Sequence, residues 1–304
     1  NEMAQPTHEQ LVRRAEELIP ALEERAEQAE RDRRVPEETI RDLQNAGLFR
    51  VLQPARYGGY EMEPQTFFAV QMKLAEGCMS TAWVYGVIAV HNFQLGLFPD
   101  RAQEDVWSED QSTLTASSYA PVGKVSREGD GFRLSGRWAF SSGCLHCDWV
   151  LLGSLVQEDD GQGGTYTDYR TFLVPKSDFE IVDTWHTLGL RGTGSHDVVV
   201  DNAYVPEYRT HRRADGFACT NPGQEVNTGY VFRLPWAQVF ACSVAAAAIG
   251  AAQKATNLYS AATAKRVTAF QQRASADPNA QEITADAQAT VKELRHMVLG
   301  NFED

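Results

Sequence analysis

From residue 112 to residue 206 the chain is rich in Ser, Thr, Val, Gly and aromatics that alternate with period two between turn residues, whereas on both sides apolar residues recur at steps of three and four. A strand-forming block enclosed by helix-forming segments predicts an α+β chain: helices, then a β-domain, then helices. The expected division is an N-terminal all-α domain (1–110), a central β domain (111–215) and a partial C-terminal helical domain (216–304). A hydrophobic fraction of 43% over 304 residues is enough for a substantial core.

The helical punctuation is specific. Leu11, Ala15, Leu18, Leu22, Ala26 and Ala29 share one face of a helix over residues 8–34, which Pro20 should kink or split. A second helix is expected from Pro36 to a stop at Gly47, and a third from Pro64 to Gly77. Ser80 is the expected cap of a fourth, whose body from Trp83 to Val90 is apolar on every side and so must lie inside the domain, with His91 on or just after its end. A short helix near Asp100–Trp107 closes the unit.

In the β-block, 123–140 reads as a hairpin around Gly129, Asp130 and Gly131, with further strands at 149–156, 169–174 and 197–205 and a polar loop at 157–164. Helical periodicity returns near Trp236 in an alanine-rich segment continuing toward Phe270, where small side chains permit close helix approach. A break is expected around Pro278 and another helix from about Ile283, lacking a visible partner, which suggests that further sequence follows.

The 28 Lys plus Arg against 41 Asp plus Glu leave a net charge of −13, which repels a polyanion and argues against nucleic-acid binding. The most apolar stretch, 236–252, is largely alanine and falls short of a bilayer span, and no secretory signal is read, so the expected setting is the cytoplasm. Five scattered cysteines read as free thiols. The glycines of LGLRGTGS (188–195) lack dinucleotide-binding spacing and read as a turn, and no Walker loop, G-x-S-x-G elbow or H-E-x-x-H pair occurs. Cys144 and Cys147 form a C-x-x-C without a second pair to complete a zinc site and without the helix start that a dithiol centre needs.

Two features carry chemistry. His91 ends an apolar helix, where an ionised imidazole is costly; such a residue is most often a satisfied core histidine. The segment RWAFSSGCLHC (137–147) joins a hairpin to the next strand and sets bulky rings beside Ser141 and Ser142, which suits a flat heteroaromatic ligand as well as it suits an ordinary strand end.

Several segments in order resemble the acyl-CoA dehydrogenase fold, and more closely its monooxygenase branch, the reduced-flavin-dependent oxygenases of two-component phenol hydroxylases: LQPARYGG (52–59), GCMSTAWV (77–84), VHNF at His91, SSYAP (117–121), WAFSSGCLHCDW (138–149), LGLRGTGS, VVVDNAYVP (198–206) and KRVTAF (265–270). Within that branch the likeness is greatest to oxygenases of bacterial steroid degradation that act on a phenolic secosteroid. The resemblance implies an acyl-CoA dehydrogenase-like fold with a central β-barrel or sandwich and a C-terminal helical bundle, a homotetramer, and FMNH2 or FADH2 delivered by a separate NAD(P)H-dependent flavin reductase. O2 is the co-substrate, and the acceptor is a small aromatic or steroid-derived phenol.

By the same resemblance Ser142 lies beside flavin N5 and holds its proton against peroxide loss, His91 faces the phenol as base, and Ser117 borders flavin and substrate. Trp185 flanks the isoalloxazine, and Arg266, near Phe270, meets the flavin phosphate of an adjacent subunit, although an ordinary solvated arginine is an equal reading. A further histidine is implied beyond Asp304. The walls from Trp83 to Val90 with Trp138, Phe140 and Trp185 should exclude water, and a buried Ser142 hydroxyl without another partner would itself need the N5 contact. Tyr119, Ala120 and Pro121 depart from the dehydrogenase pattern, and Cys147 departs from the oxygenase one, where alanine is usual. The alternatives are an acyl-CoA dehydrogenase with bound FAD, a flavin monooxygenase acting on sulfur or nitrogen, and a helical assembly protein without turnover.

Overall fold

A computed structural model describes residues 5–267, 269 and 271–302. Helices α1 (His8–Asp32), α2 (Glu37–Asn45), α3 (Pro64–Ala75), α4 (Met79–Leu95) and α5 (Asp100–Trp107) precede the sheet; α6 (Arg213–Ala218), α7 (Trp236–Lys265) and α8 (Pro278–Gly300) follow it. Thr7 caps α1 in a reciprocal box with Gln10. Pro20 does not split α1: it lies on the exposed face, where water can serve the carbonyl that a proline leaves free. Gly47 stands at φ +73°, a conformation that only a residue without Cβ adopts cheaply, and α2 has ended two residues before it. Ser80 is not the cap of α4. The helix starts at Met79 after Cys78, and the Ser80 hydroxyl instead donates to Glu30 of α1 at 3.1 Å, fastening the two helices together.

Seven strands form one mixed sheet: β1 (Thr115–Glu128), β2 (Gly131–Ser141), β3 (Trp149–Asp159), β4 (Thr165–Pro175), β5 (Glu180–Val182), β6 (His196–Pro206) and β7 (Thr210–Arg212), in the order β5-β6-β2-β1-β3-β4-β7. β1 and β2 are the expected hairpin, closed by Gly129 and Asp130 with Glu128 opposite Gly131. The first part of β1 runs parallel to β3 from Thr115 to Ser118, and its last part pairs with β2 from Lys124 to Glu128. That division lets the sheet fold over itself. β2 and β4 are separated by two strands, which in a flat sheet sets them about 14 Å apart, yet the Phe132 and Phe172 rings meet edge to face at 5.5 Å. The segment 157–164 is only partly a loop, because β3 continues to Asp159 and β4 begins at Thr165. β5 and β7, of three residues each, have too little alternation to announce themselves.

α4 runs through the middle of the helical layer. Fourteen of its 17 residues are buried, because α3, α7, β1 and the turn at Leu48–Arg50 surround it. α7 packs on α3 so closely that a Cβ at Gly250 would stand 2.1 Å from the Met72 carbonyl oxygen. By length and composition α7 is apolar enough to cross a membrane, with an 18-residue window of mean hydropathy 1.3, of which 33% is buried here. This exceeds what its alanine content led us to expect. α7 stops at Lys265 rather than near Phe270, and Phe270 lies outside the described residues. α8 starts at Pro278, capped by Asp277, and is not unpartnered: Val291 and Val298 are buried, and Phe302 beyond its end packs on Phe68 of α3.

Candidate active site

α4, β1, the end of β2 and α7 enclose a cavity of about 280 Å³ lined by Trp83, Ser117, Tyr119, Phe140, Ser142 and Phe240 among others. Its wall is mostly apolar because α4 is apolar all round and α7 turns Phe240 and Val244 toward it. Ser117 and Ser142, 25 residues apart and on different strands or their ends, share this space as the resemblance implies.

Ser142 reaches the cavity through a bulge. Trp138 pairs with Val198 and Ser141 with His196, so β2 spends one residue more than β6 between those pairs. Phe140 occupies the bulge at φ +63°, rare for a bulky side chain, and its ring is 73% exposed, edge-on to Trp185 at 6.0 Å. Trp138 is not a wall of the cavity. The bulge separates its face from that of Phe140, and its fully buried indole donates to the Gly153 carbonyl at 2.9 Å. Nor is the Ser142 hydroxyl short of partners: it accepts from Trp83 Nε1 at 3.1 Å and lies 2.7 Å from Ser195 Oγ. The burial cost that seemed to require a ligand is met by these two contacts.

Trp185 sits on a loop held from three sides. Its indole donates to the Leu190 carbonyl (2.9 Å), Arg33 Nη1 donates to the Trp185 carbonyl (3.2 Å), and His196 Nδ1 accepts from the backbone N–H groups of Thr184 and Trp185. Arg33, in a left-handed conformation just past α1, also pairs in bidentate fashion with Asp183, holding that carboxyl down to about 2.

His91 lies behind the cavity rather than in its wall. It is one turn beyond Val87, fully buried, and its ring meets Tyr119 edge-on at 6.0 Å. Nδ1 donates to the Thr115 carbonyl at 2.5 Å, so Nε2 carries the lone pair, and that atom has no hydrogen-bond partner among the described residues. His91 is therefore not a core histidine with both nitrogens satisfied. Burial, opposed in part by the Thr115 bond, pulls its pKa down to about 4. Since the unfolded side chain titrates near 6.5, the neutral ring stabilises the fold above that pH, and the contribution is lost as pH falls toward 4. Acid titration followed by urea melts should show a loss of about 3 kcal/mol between pH 6.5 and 4 that His91→Phe largely abolishes.

Arg266 is not brought to this cavity. It is exposed at the end of α7, about 30 Å along the helix from Val244. Cys144 and Cys147 sit on a turn before β3 with thiols facing the Gly194 and Gly143 carbonyls, and burial pushes Cys144 up to about 11, so neither is a ready thiolate. Among the described residues no three His, Cys, Asp or Glu side chains are grouped to hold a metal. Reading the sequence missed Tyr119, Phe240, Val244, Thr193 and Ser195 as site residues; only the SSYAP and LGLRGTGS segments pointed near three of them.

The cavity suits a planar heteroaromatic: aromatic side chains at Trp83, Tyr119, Phe140 and Phe240, a mostly apolar wall, and a hydroxyl at Ser142 with capacity left to accept a bond, whereas Trp185 touches Phe140 from outside the lining. Residues 5–109 match the family Acyl-CoA dehydrogenase, N-terminal domain. The chain is 38% identical over 295 residues to "Flavin-dependent monooxygenase, oxygenase subunit HsaA" of Rhodococcus jostii (strain RHA1), covering 96% of this chain and 76% of that protein. It is 34% identical to "FADH(2)-dependent resorcinol hydroxylase, oxygenase component" of Rhizobium sp. (strain MTP-10005), covering 86% of this chain and 63% of that one. The solved 3-HSA hydroxylase from Rhodococcus sp. RHA1 superposes with a TM-score of 0.92 at 38% identity, covering 97% of this chain and 76% of that structure. With this sequence likeness spread along almost all of its length and the same helix–sheet–helix architecture, the chain belongs to the oxygenase subunits of flavin-dependent monooxygenases built on the acyl-CoA dehydrogenase fold.

Proposed function

We propose that this chain uses reduced flavin, FMNH2 or FADH2, and O2 to hydroxylate a phenol next to its hydroxyl group, with a steroid-derived phenol as one candidate acceptor. The observation that carries this reading is the apolar cavity that unites Ser117 and Ser142, with the buried, unpartnered Nε2 of His91 behind it. Relatives named as a resorcinol hydroxylase and a 3-HSA hydroxylase support an aromatic acceptor. Reduced flavin, when bound, would supply the two electrons that activate O2, of which one atom goes to the phenol ring and the other leaves as water.

The chain's own residues do the rest. Trp83, Val87, Phe240 and Val244 keep water from the reacting centre, and Phe140 with Trp185 bounds the plane of the ring system. Ser142 Oγ would accept a hydrogen bond from the N5–H of the reduced flavin and so hold that proton in place. His91 Nε2 receives the phenolic proton as the ring becomes electron-rich, which requires the Tyr119 ring beside it to yield to substrate. Ser117 meets the substrate from β1. Arg266 serves the flavin phosphate of another copy, since its own cavity is out of reach. A homotetramer is supported by the incompletely covered α7 and by its exposed Leu258 and Tyr259. A separate NAD(P)H-dependent flavin reductase supplies the cofactor, in keeping with relatives named as oxygenase components, and five free thiols favour a reducing compartment such as the cytoplasm.

Anaerobic mixing with chemically reduced FMN or FAD, followed by labelled dioxygen and a panel of phenols including a secosteroid, tests the reading. One labelled oxygen should appear in a catechol product; recovery of every phenol unchanged with stoichiometric H2O2 refutes it.

A further inference from the structure

Three hydroxyls stand in a row that starts at Ser142 in the cavity wall and runs behind it to Ser195 and Thr193. Trp83 Nε1 donates to Ser142 Oγ (3.1 Å), Ser142 Oγ lies 2.7 Å from Ser195 Oγ, Ser195 Oγ lies 2.6 Å from Thr193 Oγ1, and Thr193 Oγ1 donates to the Leu190 carbonyl (2.9 Å). Ser195 and Thr193 are 3% and 2% exposed. Each hydroxyl has one proton and two lone pairs, whereas the indole N–H only donates and the carbonyl only accepts. Directed from indole to carbonyl, every proton in the row has an acceptor. Directed the other way, Ser142 would receive two bonds and its own proton would have no partner among the described residues, leaving it to face the cavity. The first direction is the one that pairs every proton within the protein, and in it Ser142 gives its proton to Ser195 and turns only a lone pair to the cavity.

We propose that Ser195 and Thr193 are positioning residues that make the flavin seat select the redox state of its occupant. A reduced flavin carries a proton on N5, which the Ser142 lone pair accepts. An oxidised flavin has a bare N5, an acceptor itself, and Ser142 has no proton left to offer it. No bond is made or broken; the selection is a difference of two affinities. It suits a protein whose cofactor arrives reduced and must leave oxidised after each turnover. The inference rests on the reading above that Ser142 lies beside N5.

Oxidised FMN and FAD, and their chemically reduced forms without oxygen, are titrated into the full chain and its variants. In Ser195→Ala the Ser142 proton is free to swing to N5, so oxidised flavin should bind about fivefold tighter and reduced flavin about fivefold weaker, the weight of one net hydrogen bond each. Ser195→Thr, which keeps the oxygen, should restore the wild-type ratio. Thr193→Val breaks the next link and should move the ratio in the same direction, which keeps the test open if Ser195→Ala folds poorly. A merely structural lesion weakens both forms together, and that result, or an unchanged ratio in Ser195→Ala and Thr193→Val while Ser142→Ala shifts it, overturns the proposal alone. If Ser142→Ala also leaves the ratio untouched, Ser142 does not face N5, and the underlying reading falls together with this one.

Discussion

Replacing His91 with Gln should lower the rate of phenol hydroxylation by roughly 10²–10⁴-fold, the usual weight of a positioned general base, while reduced flavin still binds. The expectation follows from the ring's tautomer. Thr115 takes the Nδ1 proton, Nε2 has no partner, and a pKa of about 4 keeps the ring neutral throughout the range in which an enzyme of this kind works. Glutamine fills a similar volume and can still meet the Thr115 carbonyl, but it cannot take a proton. The deficit should shrink for phenols acidic enough to arrive already ionised. In the wild type, turnover should stay level above about pH 5 and fall as pH drops toward 4, where the imidazole becomes charged. Single-turnover product analysis against pH and phenol acidity checks this, and a His91→Gln enzyme within threefold of wild type on a weakly acidic phenol would exclude the histidine as base.

The second large effect is expected at Ser142. Ser142→Ala removes the acceptor turned toward the cavity and leaves Trp83 Nε1 and Ser195 Oγ without a shared partner. Product formed per flavin oxidised should fall about tenfold, the consequence of one hydrogen bond of about 1.4 kcal/mol, with H2O2 rising to match and oxygen uptake nearly unchanged. Stability should fall by at most about 1 kcal/mol because the half-buried indole N–H of Trp83 is left unpaired. Simultaneous assay of catechol and peroxide separates this from general inactivation, in which both fall. Equal coupling in wild type and variant would remove Ser142 from the mechanism.

Much of the frame was legible because the signals were local. Gly47 and Gly77 mark helix ends, the apolar run from Trp83 to Val90 could only be interior, and Gly129-Asp130 closes the hairpin where period-two residues flank it. Ser80 was read as a cap because serine suits that role, but its hydroxyl answers to Glu30, fifty residues away. Trp138 was assigned to the cavity wall because alternation tells which residues share a face only while the register holds, and it shifts between Trp138 and Ser141. Ser117 and Ser142 were found through whole segments that resemble a family, not through spacing. Ser195 and Phe240 were missed because their contacts to the site span 53 or more residues and leave no trace in a window of ten or fifteen.

The latch between Arg33 and Asp183 ties the end of the first helix to the loop bearing Trp185 across 150 residues of chain. It means that the β-block is no transplantable cassette. A fragment holding only that block would keep every telltale serine and aromatic in its sequence, yet Arg33, Trp83 and Phe240 would all be left behind, and with them the brace and half of the enclosure. Whether a shuffled or trimmed gene product can function thus depends on what its first thirty-odd residues are, far from anything that reads as chemistry.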